Sequence, residues 1–156
     1  MIFLAIWLLS GCAKQPSLST ESVITTLRTQ QVSLHETAFL ITEKNNRYRL
    51  QIYVAGQAAY EVRAGTMICV QDRCMDRREF NARHLSNHYP QTLILDVLAA
   101  RLIQGIGGEV EKTEEGFVQT HTLKDRYSIR YEKNAQGVRF VDSLNRIVIA
   151  IRKLEG

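Results

Sequence analysis

Three cysteines, Cys12, Cys69 and Cys74, are the side chains of this 156-residue sequence best suited to covalent chemistry. A thiol can be acylated, oxidised to a disulfide or bound to a soft metal ion, and its neighbours distinguish these uses. Redox motifs place two residues between their cysteines, unlike the run Ile68-Cys69-Val70-Gln71-Asp72-Arg73-Cys74. A cysteine zinc site calls for a second pair, which the chain lacks. His35, His84, His88 and His121 are scattered. His84 and His88 have the i,i+4 spacing that one helix face uses to hold a metal, but no acidic or third ligand accompanies them, and surface histidines are the better reading. There is no nucleophile elbow, no His-Glu-x-x-His pair and no phosphate-cradling loop. Gly105-Ile106-Gly107-Gly108 does not follow a strand as such a loop requires. The residues therefore predict no catalytic set, no metal site and no cofactor, and the chain is not expected to be an enzyme.

Cys12 is set apart by what precedes it. Met1 is followed by an uncharged, apolar run to Leu9, and then by Ser10, Gly11 and Cys12. The run is shorter than the roughly 20 residues that cross a bilayer, and has the length of the apolar region of a secretion signal. Leu9-Ser10-Gly11-Cys12 resembles a bacterial lipobox, in which an apolar residue and two small ones let a peptidase reach the backbone beside the cysteine. The resemblance implies that residues 1–11 are a removed signal and that Cys12 is the acylated N-terminus. Two or three acyl chains, each methylene contributing about 0.8 kcal/mol, would anchor the protein permanently. Ala13 and Lys14 follow, with no Asp; by resemblance to other lipoproteins this implies the outer membrane, facing the periplasm. With Cys12 acylated, Cys69 and Cys74 remain as an even pair in an oxidising compartment, and a structural disulfide is expected.

These groups need a framework. Residues 12–20 are expected to be the lipidated N-terminus and a polar tether, and residues 21–156 a single domain. Val23, Ile24 and Leu27 fit one face of a short helix over Glu21–Val32. Thereafter the period is two. Strands are expected over 38–41 and around Tyr48, Leu50, Ile52 and Val54, and then over 60–63 and 67–70, joined across Ala64-Gly65. Four more follow at 117–122, 126–132, 138–141 and 146–153. Between them, Pro90 to Ile103 reads as one strong helix, apolar on nearly every face, started by a proline and ended near Gly105. Glu79–His88 has no strand pattern. The sum is an α+β domain: a strongly curved antiparallel sheet of eight or nine strands, a half-open barrel, with an apolar helix covering its concave face.

A formal charge of +4 from 20 basic and 16 acidic residues is spread along the chain. The densest basic group, Arg73, Arg77, Arg78 and Arg83, is interleaved with Asp72, Asp76 and Glu79, so no nucleic-acid face is expected.

A lipobox, a short helix, two hairpins, an apolar helix and a terminal strand meander together resemble the LolA/LolB-like lipoprotein-carrier fold over most of residues 21–156. Members are half-barrels with a helical cover that hold acyl chains in an apolar cavity. The resemblance implies an acyl-binding interior here, lined by Tyr48, Leu50, Ile52, Tyr127, Ile129 and Tyr131 of the sheet and by Leu93, Val97 and Leu98 of the helix. Such stripes also make solid cores. The family's outer-membrane receptor carries a protruding loop with an exposed large apolar residue; the corresponding tip here, Ala64-Gly65, has none. The expected partners are membrane lipid through acylated Cys12, and acylated lipoproteins or a periplasmic carrier. The alternative is a non-catalytic scaffold subunit of an envelope export or secretion machine.

Overall fold

The computed structural model describes residues 17–155; the signal, the lipobox and Cys12 lie outside the described residues. Eleven strands form one open, antiparallel sheet. In chain order they are β1 (Ser17–Arg28), β2 (Ser33–Glu43), β3 (Arg47–Val54), β4 (Gln57–Ala64), β5 (Ile68–Val70) and β6 (Arg73–Met75). After two helices, α1 (Arg77–His84) and α2 (Leu93–Leu98), come β7 (Glu109–Lys112), β8 (Phe117–Leu123), β9 (Tyr127–Asn134), β10 (Gly137–Asp142) and β11 (Ile147–Lys153). The spatial order is β6-β5-β4-β3-β2-β1-β11-β10-β9-β8-β7. Two meanders thus meet at a central seam between the first and last strands, and β6 and β7 are the free edges. Edge β7 is exposed throughout, and its Glu109, Glu111 and Lys112 discourage pairing with another chain.

One face of this sheet is apolar, because directly paired residues point the same way. Val23 of β1 faces Ala38 of β2, which faces Ile52 of β3. Across the seam Thr25 and Leu27 face Ile151 and Ile149, and Ile149 faces Phe140, which faces Tyr131. Both helices pack on this inner face; Phe80, Leu93, Val97 and Leu98 join one continuous core with the strands. The outer face carries the disulfide between Cys69 and Cys74, which are register partners on β5 and β6.

Four sequence expectations change. The helix over Glu21–Val32 is instead the long central strand β1, beginning at Ser17, so Ser17 to Thr20 belong to it rather than to a tether. Val23-Ile24-Thr25-Thr26 is a β-branched run stiff at χ1 and suited to a pleated sheet. Fully buried Thr25 turns its hydroxyl to the Ala150 carbonyl at 3.2 Å, a bond only the paired strand supplies.

The helix over Pro90–Ile103 is confined to the six residues of α2. Ala100 adopts φ 52°, and a pair of reverse bonds, Arg101 N–H to Asp96 C=O at 3.0 Å and Ala100 N–H to Val97 C=O at 3.1 Å, closes the helix. That is a Schellman stop built on alanine instead of the Gly105 the sequence suggested.

Glu79–His88, patternless in sequence, contains most of α1. Asp76 caps it, accepting the Glu79 N–H at 2.8 Å, and the Asp-x-x-Glu order of a capping box is visible in retrospect. Strands β1, β6 and β7 raise the count above the eight or nine expected.

Candidate functional site

The site is built where α2 meets the inner face. All six residues of α2 are buried, including Asp96, whose carboxylate a helix in water would expose. Asp96 accepts from Arg101 Nε at 2.7 Å and from the Gln104 N–H at 3.0 Å. One charge thereby folds the segment after α2 back onto the helix. The same segment is held from both wings of the sheet. Arg101 also donates to Asn46, in the turn between β2 and β3, at 3.1 Å. Two residues later, Ile103 is bonded by the buried Gln119 of β8: its N–H donates to Oε1 at 2.9 Å and its C=O accepts from Nε2 at 3.2 Å.

On the β8–β10 side the space under the helices is filled by rings. Tyr89 packs on Phe140 and Tyr127, and Tyr131 on Phe117 and Phe140, with centroids 5.4 to 6.4 Å apart. Tyr89 donates to Asp142, a fully buried carboxylate that also accepts from the backbone N–H groups of Ser128 and Leu144, both at 3.0 Å. Burial, the bond to Asp142 and its charge push the Tyr89 hydroxyl far above the usual phenol range. Burial, with the Asp96 charge beside it, does the same to Tyr131. Both phenols stay neutral; Tyr89 ties the connection between α1 and α2 to β10, and Tyr131 of β9 donates to the Asp96 carbonyl of α2 at 3.5 Å.

Open space lies elsewhere. A groove of about 330 Å³ runs along the end of α2, floored by Val97, Leu98, Ala100, Val23, Leu40, Val138 and Ile151. Its rim carries Glu21, Glu115, Lys133 and Lys153. On the other side of Leu98 is an apolar void of about 30 Å³, lined in part by Leu27, Leu50, Val62, Phe80, Leu85 and Ile94. His84 borders this void; burial, followed by the charge of Arg83, holds its imidazole below the usual histidine range.

The sequence-selected residues divide accordingly. Leu50, Ile52, Leu93, Val97, Leu98, Tyr127, Ile129 and Tyr131 are all buried in one core on one face, with half-buried Tyr48 packed against it. Val97 and Leu98 reach the groove, Leu98 and Leu50 the void, and the other six line neither. The groove's remaining floor is not legible in the sequence. Val23 satisfies a helical period as well as a strand's; Leu40, Val138 and Ile151 lie in expected strands, but which strands adjoin is a matter of topology. The tip between β4 and β5 also differs from expectation: Gly65, Thr66 and Met67 form it, and Met67 is 47% exposed, so this tip does present a large apolar side chain.

No group of three or more His, Cys, Asp or Glu side chains among the described residues is arranged to hold a metal ion. Among them too, no helix is long and apolar enough to cross a membrane. No family model and no curated protein matches the chain.

Proposed function

We propose that this protein binds acyl chains of lipids or lipoproteins in the groove beside α2, and works as a membrane-anchored carrier or receptor of the LolA/LolB-like kind. The carrying observation is the groove itself: about 330 Å³ of open space whose floor is apolar on both the sheet and helix sides. Ligand sites fall in the range of roughly 300–1,000 Å³ and are apolar with a few polar groups.

A concave sheet, the half-open barrel expected of such a carrier, is supported by the bonds that hold the segment after α2. Arg101 reaches the β2–β3 turn and Ile103 reaches β8. Six inter-strand steps separate β3 from β8 in the sheet order. Laid flat, at about 4.8 Å each, they would span about 29 Å. Two residues cover at most about 7 Å of backbone, so the segment after α2 draws the β2–β3 turn and β8 together, which favours wings that bend toward each other. Exposed Met67 at the β4–β5 tip is a further point of likeness to the receptor with its apolar protruding loop. Acylation at Cys12 would hold the domain at the outer membrane on its periplasmic side, and an acylated lipoprotein or a periplasmic carrier would be its partner. A scaffold role is the second reading, favoured by the ring-filled interior under β8–β10.

The test is native mass spectrometry of the chain carrying Cys12→Ser, after incubation with bacterial lipids and with a purified acylated lipoprotein. Acyl adducts are expected, and they should vanish in Leu40→Glu, which places a charge on the half-buried groove floor, with circular dichroism confirming the fold. A bare mass throughout would refute the carrier reading and leave the scaffold.

A further inference from the structure

The groove's rim carries charges whose placement departs from the pattern around them. Along β9 the inner-face positions run Tyr127, Ile129, Tyr131 and then Lys133; along β11 they run Ile147, Ile149, Ile151 and then Lys153. On two strands of the same wing the apolar alternation ends in a lysine at the same end of the sheet. Both lysines line the groove, and Lys133 is half-buried. Neither makes an ion pair or a side-chain hydrogen bond among the described residues. Lys133 lies half-buried against the apolar floor and Lys153 is exposed beside it, so an anion placed between the two would gain charge-assisted hydrogen bonds that the protein itself does not supply to either.

We propose that the groove selects amphiphiles whose head group carries a phosphate or carboxylate, with the acyl chain against Val97, Leu98 and Ile151 and the anion between Lys133 and Lys153. The inference rests on the acyl-chain reading above and names the ligand class for that same site. The two glutamates of the rim set its limits. Glu21, on the inner alternation of β1, is exposed, and Glu115 is occupied with the Ala135 N–H at 3.5 Å. Their charges oppose a bare anion, so free phosphate is not retained; the chain supplies affinity and the lysines choose the head group. The preference is electrostatic at a partly open rim and weakens as salt shortens the screening length to about 8 Å at physiological strength.

The experiment uses the chain carrying Cys12→Ser and probes sharing a 16-carbon chain: palmitate, a lysophosphatidylglycerol and a neutral monoacylglycerol, titrated at low and high salt. Both anionic probes are expected to bind at least fivefold more tightly than the neutral one at low salt. The double variant Lys133→Gln/Lys153→Gln should erase that difference while holding the neutral probe's affinity within twofold. Inorganic phosphate should not displace any probe. Equal binding of the three probes, or a preference that survives the double variant, overturns head-group selection and leaves acyl binding intact. Displacement by millimolar phosphate overturns it in favour of a free-anion site. Failure of every probe to bind refutes the acyl-chain reading itself, and this inference with it.

Discussion

Replacing Leu98 by alanine tests the groove most directly, because this one side chain lines both the groove and the void. Leu98 is 4% exposed. The change deletes three carbons, a transfer loss of about 2.4 kcal/mol at about 0.8 kcal/mol for each. An empty cavity would add about 24 cal/mol for every Å³ left unfilled. Here the vacated space opens onto the groove, where solvent or ligand can fill it, so the total should stay near the low end of the Leu→Ala range, about 3 kcal/mol. For a domain of this size that is a fall in Tm of roughly 6–12 °C, read by thermal melts without ligand. Ligand should then behave in the opposite sense. The groove and void become continuous, and each methylene of a longer chain that enters contributes about 0.8 kcal/mol, close to fourfold in affinity. Titration of the variant with saturated chains of increasing length should show affinity rising beyond the length at which the parent protein levels off. A loss of stability with no gain for longer chains would refute the reasoning: Leu98 would then be ordinary core and the two spaces unconnected.

Three further outcomes follow from other features. Removing the disulfide by Cys69→Ser/Cys74→Ser, a loop of sequence separation 5, should cost about 2 kcal/mol in the chain-entropy treatment, a fall in Tm of roughly 4–8 °C that reduction of the parent protein should reproduce. Tyr89 and Tyr131 have folded-state ionisation pushed above the usual phenol value of 10.0. The unfolded chain therefore loses protons first, and stability is full below pH 10 and falls above it by about 1.4 kcal/mol per pH unit for each phenol; melts across that range should show the decline, and Tyr89→Phe should make it shallower. Ala100→Gly relieves the left-handed φ of 52° at the end of α2 and should raise stability by about 1 kcal/mol in denaturant titrations, since glycine adopts that conformation without steric cost.

Much of the sheet is legible in the sequence because its strands alternate cleanly. Tyr48-Arg49-Leu50-Gln51-Ile52 and Tyr127-Ser128-Ile129-Arg130-Tyr131 each carry their burial pattern on their face, and the structure buries every second residue as expected, Tyr48 less deeply than the rest. The pairing of Cys69 with Cys74 is legible because, once the lipobox-like motif sets Cys12 aside, these two cysteines are left as an even pair a short loop apart. Where residues satisfy two periods at once, local pattern fails. Val23, Ile24 and Leu27 suit a helix face equally well, and only pairing with β2 and β11 on both sides decides for a strand. Pro90–Ile103 reads as continuous helix because nothing in local propensity announces that buried Asp96 will take the Arg101 side chain and the Gln104 N–H and stop the helix. Short β7 has no apolar face to detect, being exposed at every position.

The groove was half legible. Val97 and Leu98 were nameable from an all-round apolar helix, but their neighbours Val23 and Ile151 come from opposite ends of the chain. Lys133 and Lys153 look like unremarkable surface charges until the register puts them on the inner face beyond Tyr131 and Ile151.

The seam between β1 and β11 has a kinetic consequence. Each meander is assembled from hairpins between consecutive strands, with short loops to close, whereas Thr25 and Ala150 are joined across a separation of 125 residues. Closing a loop of that length costs about 2 kcal/mol more entropy than closing one of ten residues. The two wings therefore form first and the middle of the sheet closes last, leaving β1 with an unsatisfied edge until β11 has been made. Pulsed hydrogen exchange during refolding should find the Ala150 amide protected only after those of β3 and β9; simultaneous protection would mean that the seam nucleates the fold.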